Sequence, residues 1–330
     1  MNYYEIKHLV PAGLKKKSIR RILTPKLVLL FFLAQMILFV SVGGWIQYRL
    51  GMGGVVITEL MMLALSVGFV ALIHADWREV FPLKKPKLSA VAGSTLLWGA
   101  AILSSFIANY LLIAFFPKTY QSFSEESSAL YGQLPLLLQI LIIAVLPAIC
   151  EEALHRGVIQ CGMRYKVRQI PLLCVIMGAV FAVFHIYPIK YAPMFILGGM
   201  MSYLLAMTGN MFYSSYMHFL NNLFAVLTEH AAAGLISGSM LLPGILPVHT
   251  QIAETVPELP MVPLSMAGSA IILFGLPVPF LLHAGRYLLA LSTAPVRPDF
   301  FPAGEKKPVF RRIILPMFWI VLLGLLVMTV

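Results

Sequence analysis

The sequence predicts an all-α polytopic membrane protein, a bundle of about nine transmembrane helices with a buried polar site. Three observations predict it. Of 330 residues, 60% are hydrophobic and only 11% charged, with a mean hydropathy of +0.88, too few charges to cover a soluble domain of this length. Apolar runs of about 20 residues, the length a helix needs to cross the hydrocarbon, recur along the chain. Finally, ionised groups at bilayer depth are expensive unless they face a polar cavity, and one of these runs carries Glu151, Glu152 and Arg156.

The expected spans lie near 27–46, 54–74, 91–116, 134–163, 170–187, 192–208, 211–231, 263–284 and 313–329. The first begins near Leu27 and lacks an A-x-A-like exit, so it reads as a retained span rather than a cleavable signal. The fourth is long enough to include a tilted or protruding end. From Leu134 to Ile149 it is apolar except for Gln139, and then the two acids arrive side by side. Gly198, Gly199 and Ser202 in the sixth suit close packing, and Met200-Met201 is apolar filler. The 285–312 loop is broken by Pro295, Pro298, Pro302 and Pro308. Three regions result: a basic segment with three helices over 1–133, a core of four helices over 134–231, and a loop with two helices over 232–330. No internal repeat is visible.

A net charge of +11 could suggest nucleic acid, but its distribution excludes that partner. The cations cluster beside apolar runs, as in Lys15-Lys16-Lys17, Arg20-Arg21, Lys84-Lys85-Lys87 and Lys306-Lys307-Arg311-Arg312, the pattern of anchors against lipid headgroups. With the N-terminus cytoplasmic, all cations but Arg49, Lys118, Lys190 and the intramembrane Arg156 fall on the cytoplasmic side of a nine-helix topology. The absence of a large folded domain suits a bacterial plasma membrane. Cys150, Cys161 and Cys174 form no zinc spacing and read as small apolar residues.

Helical geometry sorts the polar groups. Residues four apart share a face, so Glu152 and Arg156 are expected to pair, while Glu151 points about 100° away. Arg156 can then hold Glu152 ionised, leaving Glu151 to take a proton as a general base, or all three can form a buried structural ion network. Glu151 precedes Arg164 by 13 residues and His185 follows Ile170 by 15. At about 1.5 Å per residue, that sets both at similar depth, about 20 and 22 Å from one cytoplasmic turn. His218 and Asn222, four apart on the seventh span, can donate hydrogen bonds to a developing oxyanion or act as an interhelical clamp. Glu59 is expected to snorkel at the outer end of the second span, with facing the cavity as the alternative. His74 and His283 fall at interfaces, and Glu125 and Glu126 in a solvated outer loop.

The ordered set Glu151-Glu152-x-x-x-Arg156-Gly157, Phe181-x-x-x-His185 and His218-x-x-x-Asn222 resembles the CPBP family, across about residues 134–231. That family comprises type II CAAX prenyl endopeptidases and bacteriocin-processing or immunity membrane proteins, and Thr208-Gly209 fits its habit. The resemblance implies an intramembrane endopeptidase acting on a membrane-associated peptide or a lipidated tail. Glu151 with His185 would activate a water, His218 and Asn222 would hold the oxyanion, and Glu152 and Arg156 would support them. It leaves two descriptions open: a metal-free mechanism, and a divalent cation such as zinc on Glu151, His185 and His218, although no HExxH is present. No other cofactor is expected.

His155 departs from the family's frequent aromatic at that position. Four residues after Glu151, it could shuttle protons, ligate a metal or hydrogen-bond the acid. Two other functions stay open: a proton-coupled transporter with a Glu151, His185 and His218 relay, and a non-catalytic immunity or scaffold protein. A thiol mechanism through Cys150 is disfavoured, because adjacent helical residues diverge by about 100°.

Overall fold

The computed structural model describes residues 23–122, 134–236, 263–295, 298–301, 305 and 307–329. Among them all regular structure is helical, as expected. The cationic runs before residue 23, Glu125 and Glu126, His8, His249, Arg297 and Lys306 lie outside the described residues. In chain order the helices are α1 (Pro25–Leu50), α2 (Met52–Leu72), α3 (Trp77–Val80), α4 (Leu88–Phe115), α5 (Leu136–Arg164) and α6 (Ile170–Phe184). Then come α7 (Tyr191–Thr208), α8 (Phe212–Ile236), α9 (Leu264–Gly275), α10 (Val278–Thr293) and α11 (Phe310–Met328).

A helix covers each of the nine expected spans, but seven stretches among the described residues are long and apolar enough to cross a bilayer. They are α1, α2, α4, α5, Pro188–Thr208, Leu264–Thr293 and α11. The count of nine is therefore approximate, for two physical reasons. α6 is apolar but has only 15 residues. α8 has the length, 25 residues, but carries Ser214, Ser215, His218, Asn221 and Asn222, the polar groups a site needs. With seven such helices, the protein is an integral membrane protein.

The chain divides into two compact units. The first comprises Met1–Lys84, Glu126–Met177 and Met201–Glu254. Here Thr24 caps α1 by accepting from the Leu27 N–H at 3.3 Å, with Pro25 preset for the first turn. α1 and α2 form a hairpin, clasped where Gln47 Nε2 donates to Thr58 Oγ1 at 2.8 Å. α5 lies close against α1 at Gly162, where a Cβ would stand 2.5 Å from Val28 Cγ1, so only glycine permits this approach. Asn210, before α8, fixes where that helix starts. Its Oδ1 accepts from the Lys84 N–H, its Nδ2 donates to the Lys84 carbonyl, both at 3.0 Å, and its Oδ1 also caps Phe212.

The second unit comprises Lys85–Glu125, Gly178–Met200 and Thr255–Val330. α4 packs along α10, and α9 along α11. At Gly93 and Gly285 the backbones of α4 and α10 nearly touch: a Cβ on Gly93 would be 2.8 Å from the Gly285 carbonyl oxygen. Close contact between small residues is how helices gain dispersion energy where lipid gives no hydrophobic drive. Toward the end of this unit, His283 Nε2 lies 2.8 Å from the Phe300 carbonyl, with its ring stacked on Phe301.

Candidate active site

α5 is not a uniform helix. Two wide turns, Ile140–Val145 and Ala153–Ile159, with the widened hydrogen-bonding of π-helix, flank the regular stretch Leu146–Glu152 that ends in both acids. Such wide turns recur at functional sites because they redirect side chains within a continuing helix. Pro147 supplies one local cause: it has no N–H, which weakens the bonding of the preceding turn.

The side chains around Glu152 form a buried network. Arg156 Nη1 lies 2.8 Å from Glu152 Oε1, with both side chains wholly enclosed, so the expected pair is formed. The same Oε1 lies 3.2 Å from His218 Nδ1, and Ser214, one turn earlier on α8, lies beside this carboxylate. Paired with Arg156, the Glu152 carboxylate only accepts, so the hydrogen on His218 belongs on Nδ1. His218 Nε2 then faces Glu151, whose Oε2 is 4.0 Å away. Glu151 was expected to face away from the pair, and one imidazole lies between the two acids, with one nitrogen turned to each. A ring spans the divergence that the 100° rule assigns to adjacent residues.

Asn222, one turn beyond His218, donates from Nδ2 to the Ile143 carbonyl at 3.0 Å. That carbonyl is the one an α-helical N–H at position 147 would have bonded, and Pro147 has none. The clamp therefore compensates a proline on the facing helix. The amide carries two N–H donors, and this bond uses one.

His185 lies in the second unit, immediately after α6, which ends at Phe184 rather than continuing to residue 187. Its Nδ1–H donates to the Phe181 carbonyl at 2.8 Å and its ring packs edge-on against Phe181 and Phe184. That bond leaves Nε2 as the basic nitrogen. Ile186 follows in the left-handed region, at φ 61°, and turns the chain away.

His155 is fully buried, with Nδ1 2.8 Å from the main-chain oxygen of Glu151 and its ring edge-on to Phe32. This bond runs to the backbone of the acid, not to its carboxylate. Glu59 requires a correction. It does not snorkel: it is buried at 5% exposure, and its charge interacts with that of Glu151. The signal was available, an ionisable residue within an apolar span.

Among the described residues, no three His, Cys, Asp or Glu side chains form a group that could hold a metal ion. Of the three candidate ligands, Glu151 and His218 approach one another, with 4.0 Å between Oε2 and Nε2.

Residues 133–224 match the family model described as type II CAAX prenyl endopeptidase Rce1-like. The matched segment runs from just before α5 into α8 and contains Glu151, Glu152, Arg156, His185, His218 and Asn222, the residues on which the resemblance was read. That description is of a protease, a hydrolase of peptide bonds. No curated protein and no solved structure matches the chain.

Proposed function

We propose that the protein is an intramembrane endopeptidase that hydrolyses a peptide bond in a membrane-associated or lipidated peptide. One observation carries this reading. Glu151 stands beside an imidazole whose other nitrogen is tied to a buried glutamate–arginine pair, all within the segment that matches a prenyl endopeptidase family.

The chemistry follows from the roles each group can take. Glu151 accepts a proton from water as the water oxygen adds to the scissile carbonyl. His185 assists it through Nε2, in the role that the resemblance implies. His218, protonated on Nδ1 and braced by Glu152, directs Nε2 toward the reacting atoms, and in its imidazolium form donates there to the oxyanion. The second N–H of Asn222 can donate to the same oxygen. Arg156 balances Glu152, so the bracing carboxylate does not compete for the proton. When the intermediate collapses, Glu151 returns the proton to the departing amine.

This reading places the protein in a bacterial plasma membrane with a cytoplasmic N-terminus, supported by the flanking cations. The test is Glu151→Ala beside His185→Ala at matched expression, with membrane peptides compared by mass spectrometry. A peptide end made by the wild type and lost in both variants is expected. A biological effect that persists in both variants, with no peptide end altered, would instead identify a non-catalytic membrane partner.

A further inference from the structure

Glu59 is the buried acid that the mechanism above does not use. It sits on α2, which packs against the stretch of α5 ending in Glu151 and Glu152 and against the wide turn that follows. Its charge interacts with that of Glu151. Its Oε2 is enclosed and, among the described residues, accepts no hydrogen bond. An enclosed polar atom left unmatched costs about 1–3 kcal/mol, and an ordered water is a common remedy.

A second, independent feature points to the same occupant. His218 Nε2 and Glu151 Oε2 stand 4.0 Å apart, too far for a direct hydrogen bond and suited to a bridging water. A buried water needs about two to four polar partners. Glu151 and His218 supply two, from α5 and α8, and Glu59, on the α2 helix packed against the same stretch of α5, is the candidate third.

We propose that Glu59 is a further catalytic residue, which together with Glu151 and His218 holds the hydrolytic water. The inference rests on the endopeptidase reading. One O–H of the water points to Glu151 and the other to Glu59, while His218, as the imidazolium, donates from Nε2–H to one oxygen lone pair, which leaves the other lone pair for the scissile carbonyl. The water oxygen bonds to the carbonyl carbon and its first proton passes to Glu151. The C–N bond then breaks, and that proton moves to the amine. The second proton, oriented by Glu59, stays on the new carboxylic acid and leaves when the acid ionises. Water and amide thus become acid and amine, with every proton assigned.

The test uses the purified full chain and a peptide it cleaves, comparing Glu59→Leu with Glu59→Gln. Leucine fills the space but cannot bind water, so kcat should fall about 100-fold, as expected when a reacting group loses its positioning. KM should hold, and the unfolding midpoint should not drop. Glutamine keeps an acceptor oxygen and should retain kcat within about tenfold. Wild-type kcat in Glu59→Leu overturns the proposal. A second measurement does not depend on turnover or on the variants folding: an experimental map that resolves waters. An ordered water touching both Glu59 and Glu151 is expected, and a dry gap there refutes the proposal. If the wild type cleaves nothing and Glu151→Gln changes nothing, the endopeptidase reading fails, and the map still decides whether Glu59 binds a water.

Discussion

Replacing Arg156 with methionine tests whether the core of the site is an electrostatic unit. The Arg156 and Glu152 side chains are both at 0% exposure and 2.8 Å apart, so no solvent can take over from a missing partner. Removing one member of a buried pair typically costs about 3–5 kcal/mol, because the other charge is stranded. Here Glu152 Oε1 keeps its contact with His218 Nδ1 at 3.2 Å, which places the expected cost at the lower end, about 3 kcal/mol. Glu152→Gln alone strands Arg156 and should cost a similar amount. The double variant removes both charges together, so it should also lose about 3 kcal/mol rather than the sum, a coupling of about 3 kcal/mol. Unfolding in mixed micelles provides the measurement, followed by circular dichroism and by labelling of Cys150, which is buried in the folded chain. Strictly additive losses, or an Arg156→Met cost below about 0.5 kcal/mol, would refute the reasoning.

Other expectations follow from individual contacts. Gly162→Ala places a methyl against Val28 and should destabilise by about 1–3 kcal/mol, with Val28→Ala restoring most of the loss; thermal unfolding of the two singles and the double checks it. Asn222→Ala frees the Ile143 carbonyl, at a cost of about 1 kcal/mol, and removes an oxyanion donor, so kcat should drop about 100-fold or more in steady-state assays. Cys150→Ser should keep kcat within about twofold, since the acid and not the thiol is the proposed base; loss of turnover with the fold intact would revive a thiol mechanism.

The helices were legible because lipid demands long apolar runs, and this demand acts on sequence directly. The same demand explains the discrepancy in counting spans: α8 gives up apolar character to carry His218 and Asn222, and α6 is simply short. The Glu152–Arg156 pair was legible because four-residue spacing is local geometry. The other contacts of the site depend on tertiary packing. That one imidazole would address both acids required knowing that α8 lies against α5, and Asn222 facing Ile143 required the carbonyl that Pro147 leaves behind. His155 was expected near Glu151 and is, but a side chain four residues on can reach the main chain as readily as the carboxylate, and spacing does not distinguish them. For Glu59 an ionisable residue within an apolar span was the local sign, but its burial comes from α2 packing on α5, which spacing does not encode.

The central claim is that the buried acids perform hydrolysis rather than hold helices together. It is tested most directly with purified protein in proteoliposomes and a panel of membrane-anchored and lipidated peptides, by comparing the wild type with Glu151→Gln, a change of nearly constant volume. The account predicts defined peptide fragments from the wild type and none from the variant, whose unfolding midpoint stays close to that of the wild type. Equal fragment yields from both proteins would contradict it.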